Sequence, residues 1–319
     1  SSLGPCLARH SPRHGGTVVA GRPVAGERGQ GLLSGDFLIQ LERLALLSKR
    51  TFRGRVKGER KSPHRGSSVE FVDYRPYGVG DDLRYVDWNI FGRLDRLYLK
   101  LFVDEEDLCL HLLLDASASM DYGEPTKLEY GSRVAAALGF VALVNYERVG
   151  VGIVRDRVTE GWSPTRGRSQ VLPLLDFLGK LRPRGATGLN EGLASYARQS
   201  RDSGLAVVIS DLLDPGGYEG GLRALQEQRF DVHLVHVLAP EEMNPAFSGD
   251  LRLRDAETGE IRDLTLDGEA RRSYARRLRE FLNAAEGFCR LREISYHRVT
   301  TDIPVEEFVL RQLKGLLLL

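Results

Sequence analysis

The feature that most constrains this chain is a seven-residue run, Leu108–Leu114 (LCLHLLL), in which nearly every residue is apolar. A strand with one wet face alternates apolar and polar side chains. A continuous apolar run of strand length needs cover on both faces. Leu205–Ile209 is a second such run. Strand patterns also occur at Val149–Val154, Val232–Val237 and Ile294–Val299. Helical spacing marks Lys127–Val144, which has an Ala-rich face, and Ser169–Leu181, Leu189–Gln199, Gly221–Gln228, Ala270–Ala285 and Val305–Leu317. This alternation predicts an α/β fold: a doubly wound, mostly parallel sheet flanked by helices. One excursion interrupts it. Leu251–Arg254 and Ile261–Leu266 flank Glu257-Thr258-Gly259-Glu260 and predict an inserted β-hairpin near 250–267.

The N-terminal third is different. Residues 1–33 are rich in Gly, Pro, Arg and Ser without a hydrophobic period and are expected to be a disordered extension. Ser34 has the character of an N-cap. Phe37, Leu38, Leu41, Leu44 and Leu47 then follow at helical spacing, which predicts a helix over 35–48. Leu97, Leu99 and Leu101 alternate with Tyr98, Lys100 and Phe102 as in a strand. The expected organisation is an extension (1–33), a helix and following segment packed on the main domain (34–103), and the α/β domain with its hairpin (104–319).

Charge and cysteine content narrow the class. Lys and Arg number 45 against 44 Asp and Glu, a net charge of +1, so nucleic-acid binding by the chain as a whole is not expected. A local patch remains: residues 49–65 carry eight Lys or Arg and one Glu, either a phosphate- or membrane-contacting segment or a solvated loop. No aromatic platform is interleaved there, which favours the loop. Cys6, Cys109 and Cys289 have no metal-ribbon or disulfide-framework spacing. No apolar run reaches the ~18 residues of a membrane span, and no signal-peptide core is present. A cytoplasmic protein with no membrane span is expected.

In open α/β sheets, ligands bind beyond the carboxyl ends of the strands. The first buried strand is followed by Asp115-Ala116-Ser117-Ala118-Ser119. The strand ending at Ile209 is followed by Ser210-Asp211. Between them, before a helix, lies Gly185-Ala186-Thr187-Gly188. Asp115, Ser117, Ser119, Thr187 and Asp211 offer two carboxylates and three hydroxyls, without sulfur or imidazole. Such a donor set suits a hard divalent cation, Mg²⁺, or Mn²⁺ or Ca²⁺ in its place. Two aspartates nearly balance the ion, and the uncharged hydroxyls leave it able to attract an acidic side chain of a partner protein. Taken singly, these residues are also ordinary helix caps and turn formers.

The Asp-x-Ser-x-Ser pattern with a later Thr and Asp resembles the metal-ion-dependent adhesion site of von Willebrand factor type A domains. That resemblance implies direct coordination by Ser117 and Ser119, coordination by Thr187, and aspartates, Asp115 and Asp211, that often act through water. Asp214 lies close by, but the motif does not require it.

A longer resemblance lies upstream. Arg65, Gly66, Glu70, Phe71, Tyr74, Arg75, Tyr77, Gly80, Asp81, Asp82, Arg84, Asp87 and Trp88 match the signature of a bacterial family catalogued as domain of unknown function 58. It implies a type A domain and company with a MoxR-type AAA+ ATPase, for which such proteins are suspected adaptors. Physically, Arg75 and Arg84 near Asp81, Asp82 and Asp87 can form an ion-pair network, with Phe71, Tyr74, Tyr77 and Trp88 packing it on the sheet. The alternative is a partner-binding role, or a second cation on Asp81 and Asp82.

Other features are discounted. His233 and His236 are three apart on a strand and face opposite sides, so they cannot share a metal. Arg271, Arg272, Arg276, Arg277 and Arg279 form a basic helical face of the usual solvated kind. No phosphate-binding Gly-x-x-x-x-Gly-Lys-Ser/Thr loop occurs. The functional expectation is a non-enzymatic interaction module that uses a cation to capture a carboxylate. The alternative is a metal-dependent hydrolase or phosphatase built on Asp115. Ser117 stands where such enzymes want a second Asp, and no Lys follows Asp211 or Thr187 closely enough to clamp charge.

Overall fold

The computed structural model describes residues 31–52, 69–78, 81–104, 109–155, 158–200, 202–244, 249–254 and 261–312. The extension is therefore outside the described residues except for Gly31–Leu33, a 3-10 turn with Leu32 buried. The basic segment is outside them except for its first four residues, which continue the N-terminal helix. The chain divides into two compact units: Lys57–Asp107, and the remainder on either side. The N-terminal helix thus belongs with the α/β unit.

In chain order the elements are α1 (Gly35–Phe52), β1 (Val69–Pro76), α2 (Trp88–Leu94), β2 (Tyr98–Asp104), β3 (Cys109–Asp115), α3 (Lys127–Val144), β4 (Arg148–Val154), β5 (Val158–Arg166), α4 (Val171–Gly179), α5 (Leu189–Gln199), β6 (Leu205–Ser210), α6 (Glu219–Glu227), β7 (Asp231–Leu238), α7 (Pro240–Met243), β8 (Gly249–Arg254), β9 (Ile261–Leu266), α8 (Gly268–Leu291), β10 (Ser295–Thr300) and α9 (Val305–Gln312).

The larger unit is built on a six-stranded sheet ordered β10-β7-β6-β3-β4-β5. All its pairings are parallel except β4 with the edge strand β5. The apolar run predicted from the sequence is the central strand β3, buried at every residue. Its side chains alternate between two cores. Leu110, Leu112 and Leu114 join α1, α3, α4 and α9 on one face. Leu113 joins α5, α6 and α8 on the other. Small residues let α3 lie close to the sheet: a Cβ on Gly131 would stand 3.0 Å from both Ile209 and Leu114. The hairpin is present as antiparallel β8 and β9.

β5 was not legible as a strand. It carries Gly161 and Pro164, and Pro fits only an edge or a bulge, where β5 lies. The helix expected over 169–181 is shorter, because Arg168–Gln170 is a 3-10 turn and α4 begins at Val171.

The smaller unit pairs β1 antiparallel with β2, with a register shift between Phe71 and Asp73. Between them, Asp87 caps α2 by accepting hydrogen bonds from the amides of Asn89 (2.9 Å) and Ile90 (3.3 Å), and it accepts one from the Tyr74 hydroxyl (3.1 Å). Arg75 pairs with Asp81 at 2.6 Å and Arg84 with Asp82 at 2.5 Å. The expected network thus contains these two local pairs and a cap. The expected aromatic packing is corrected: Trp88 is 58% exposed and meets Phe91 of its own helix edge-on, and Tyr74 is also exposed. The short helix α2 buries no residue, Trp88 included.

Candidate metal centre

The strand order explains where the polar cluster lies. From β3 the chain moves to β4 and β5 on one side, then returns to place β6 on the other side of β3. The carboxyl ends of β3 and β6 thus flank a topological switch point, where an α/β sheet opens a crevice. Asp115 ends β3, and Asp211 follows Ser210 at the end of β6.

The three loops are held by their backbones. The Ala118 amide donates to Gly185 O and the Arg184 amide to Ala116 O, both at 3.0 Å. This clasp requires Gly185 at φ +78, a conformation glycine adopts freely. The third loop is latched to the second through Asp214, whose carboxylate accepts from the Leu189 amide at 2.6 Å. Asp214 is thus a support at the start of α5.

Within this frame Asp115, Ser117, Ser119 and Asp211 come together, all buried. Asp115 accepts from the Ser117 amide (2.9 Å) and from the Ser210 hydroxyl (2.7 Å). The hydroxyl oxygens of Ser117 and Ser119 are 3.0 Å apart, and the Ser119 hydroxyl helps to lower the Asp211 carboxyl. Thr187 sits in the clasped second loop and, at 9%, is the most exposed of the five. Arg75, Asp81, Asp82, Arg84, Asp87 and Trp88 lie outside the unit that holds this cluster. They belong to the smaller unit.

Four residues outside the motif complete the surroundings. Lys127, the first residue of α3, donates to Asp211 at 2.6 Å and to Glu242 of α7 at 2.7 Å. No lysine follows Asp211 or Thr187 closely in sequence, and the charge clamp comes instead from a distant helix. A lysine at a helix N-terminus opposes the helix dipole, so its carboxylates must hold it there. Glu242 also accepts from the Ala239 amide at 2.7 Å. Ser210 braces Asp115 as described. His236 of β7 stands 3.0 Å from the Asp211 carbonyl and 2.7 Å from the Tyr296 hydroxyl. Imidazole therefore approaches the site, although none lies in its loops.

The charges are unequal. Burial and then the neighbouring Asp211 charge push the Asp115 carboxyl up to about 7. Asp211 is held below the usual carboxylate range: burial would raise it, but Lys127 and the hydrogen bonds outweigh that. Lys127 is raised despite its burial, because Asp211 and Glu242 outweigh desolvation. Glu242 is raised, burial exceeding the pull of Lys127. Burial pushes His236 down to about 4.

Chemically, the cluster offers oxygen alone at its centre and negative charge that Lys127 does not fully compensate. That fits a hard divalent cation. Among the described residues no group of three or more His, Cys, Asp and Glu is arranged to hold a metal, so an ion here would rest on two aspartates and hydroxyls.

The other histidine of the H-x-x-H pair, His233, faces away from this centre. Its ring is within 3.4 Å of His297, nearly parallel to it. The two do not share a site, as their spacing predicts.

Residues 73–282 match the model of the family described as "Protein of unknown function DUF58". The chain belongs to the DUF58 family. Among its relatives, this DUF58 chain is 29% identical over 242 residues to the uncharacterized protein Rv1480 of Mycobacterium tuberculosis, covering 74% of this chain and 76% of that one. A Mycobacterium avium protein, MAV169, is 36% identical over 98 residues, 30% of this chain and 57% of its own. Solved structures similar to it include BatB from Bacteroides thetaiotaomicron (18% identity, TM-score 0.42, 66% of this chain and 98% of that). An aerotolerance-related membrane protein from Bacteroides fragilis is similar at 17% identity and TM-score 0.41, over 65% and 99% of the two chains. In this DUF58 chain no helix among the described residues is long and apolar enough to cross a membrane.

Proposed function

We propose that this DUF58 chain is a protein-interaction module of the von Willebrand factor A kind. It holds a divalent cation on Asp115, Ser117, Ser119, Thr187 and Asp211 and uses it to capture a carboxylate of a partner protein. One observation carries the reading: two buried aspartates face two serine hydroxyls 3.0 Å apart, and the repulsion between them helps push Asp115 up to about 7. Such a cluster gains stability from an added cation. Mg²⁺ takes about six oxygens, so five protein donors leave a position for an incoming carboxylate. That carboxylate approaches on the side of Thr187, the most exposed donor. The partner we propose is a MoxR-type AAA+ ATPase, with this chain as its adaptor.

The hydrolase alternative has less support. The imidazole near the site, His236, has both nitrogens engaged, with the Asp211 carbonyl and the Tyr296 hydroxyl. A nucleophile and its general base need free, mutually facing groups.

The test is a pull-down of a MoxR-type ATPase on the immobilised chain, in Mg²⁺ and in EDTA, for wild type and Ser117→Ala with Ser119→Ala. Capture by wild type in Mg²⁺ alone supports the reading. Capture unaffected by EDTA or by the double substitution contradicts it.

A further inference from the structure

Five non-glycine residues among the described ones have a positive φ. Asp95, Tyr146, Arg229 and Glu293 stand at or just past the ends of α2, α3, α6 and α8 and are exposed, where a left-handed residue is usual. Leu212 is the exception. It follows a strand end, one residue after Asp211, at φ +58, and it is buried in the core that includes α5 and α6. The left-handed region is unfavourable for leucine and open to glycine, so neighbours must hold Leu212 there. They hold one peptide at both ends. The Leu212 amide donates to the Ser210 hydroxyl at 2.9 Å, and that hydroxyl donates to Asp115 at 2.7 Å. The Asp211 carbonyl lies 3.0 Å from His236 Nε2, and His236 Nδ1 lies 2.7 Å from the Tyr296 hydroxyl. A carbonyl only accepts, so in the neutral ring Nε2 carries the proton, Nδ1 accepts and Tyr296 donates.

This setting turns the chain back so that the Leu213 amide reaches one oxygen of the Asp211 carboxylate at 3.0 Å, while Lys127 holds the other. Half a turn of the Asp211–Leu212 peptide would bring Leu212 to the negative φ that leucine prefers. It would also break the bonds to Ser210 and His236 together. We propose that Ser210, His236 and Tyr296 are positioning residues of the cation site: they hold this peptide against its own backbone preference and so keep the Asp211 carboxylate in place for the ion. The inference rests on the cation reading proposed above. It adds three residues that the ligand motif does not contain and assigns them the task of holding one ligand.

Ser210 also braces Asp115, so the deciding variants are at Tyr296 and Leu212. Tyr296→Phe keeps the ring and removes only the donor that fixes the His236 proton. In EDTA, hydrogen exchange of the segment 211–216 is expected to quicken by about three- to tenfold, the range for one net hydrogen bond, while that of α3 stays unchanged. Mn²⁺ affinity, counting only the binding that Asp115→Ala abolishes, is expected to weaken by about three- to tenfold as well. Leu212→Gly takes up the left-handed setting without steric cost. In that background Tyr296→Phe should therefore lose most of its effect on Mn²⁺ affinity. A residue that merely stabilises the fold would show the same loss in both backgrounds. Leu212→Gly also empties a buried position, so the exchange of Tyr296→Phe decides the matter if the glycine chain does not fold. Unchanged exchange in Tyr296→Phe, or equal losses of affinity in both backgrounds, overturns the inference and leaves the cation site standing. Wild-type chain without saturable Mn²⁺ binding overturns the cation reading and this inference with it.

Discussion

Lys127 and Asp211 are 84 residues apart in sequence, yet the lysine ammonium stands 2.6 Å from the Asp211 carboxylate with both side chains out of solvent. The contact joins the first turn of α3 to the loop after β6, and through Glu242 it joins both to α7. One loop and two helices are joined by one ammonium group. Removing it leaves two buried carboxylates without a counter-charge. Lys127→Ala is therefore expected to destabilise the protein by about 3–5 kcal/mol. Urea unfolding with and without the substitution measures this. A loss below about 1 kcal/mol would show that the bridge is not structural.

Asp115 gives the site a pH signature of definite sign. Its carboxyl is pushed from 3.8 up to about 7 in the folded chain. The folded state thus holds that proton more tightly than the unfolded state. The contribution to stability is full below pH ~4 and is lost as pH rises toward ~7, in a total of at most about 4 kcal/mol. In EDTA, the stability of wild type relative to Asp115→Asn should fall between pH 4.5 and 7.5. Saturating Mn²⁺ should oppose that fall, because the ion favours the ionised carboxylate. A wild-type-to-variant difference independent of pH would contradict the charge assignment.

Much of the fold could be read from the sequence because its period and length signals are unambiguous. The β3 run, the α3 and α5 boundaries and the hairpin strands follow from apolar spacing alone. β5 could not be read that way, since Pro164 and Gly161 break its pattern and only its edge position makes them tolerable. At the site, the strand-end rule finds Asp115 and Asp211. The same rule applied after β7 leads to Ala239–Glu242, so Glu242 was within reach. Ser210 neighbours Asp211 and was in view, but its bond to Asp115 was not. Lys127 was hidden, because a residue opening a helix declares nothing about a loop 84 residues later. His236 lies buried on β7, and its contact with the Asp211 carbonyl depends on the β6–β7 register.

The family signature in the smaller unit separates into parts with different weights. Asp87 caps α2 and holds Tyr74. Asp87→Ala should cost about 1–2 kcal/mol, as loss of a helix cap does. Arg75→Ala removes an exposed pair with Asp81 and should change stability little. Calorimetric melting of both variants checks the order. Greater damage from Arg75→Ala than from Asp87→Ala would reverse it.

Close packing beside the second loop makes another prediction. A Cβ on Gly192 of α5 would stand 2.5 Å from Val154 of β4. Both residues are in well-packed surroundings, so Gly192→Ala should destabilise by about 1–3 kcal/mol through overpacking. It should also weaken cation binding, because α5 carries the loop that bears Thr187. Thermal melting and Mn²⁺ titration of the variant read the two effects. A variant as stable as wild type would show that α5 moves away without cost.

The central claim is that three loop ends enclose one divalent cation. Isothermal titration of the EDTA-treated chain with Mn²⁺ tests it most directly, with Asp115→Ala and the Ser117→Ala, Ser119→Ala pair alongside. The account predicts a single saturable site in wild type and none in either variant. No saturable binding in wild type, or the same binding in all three proteins, would contradict it.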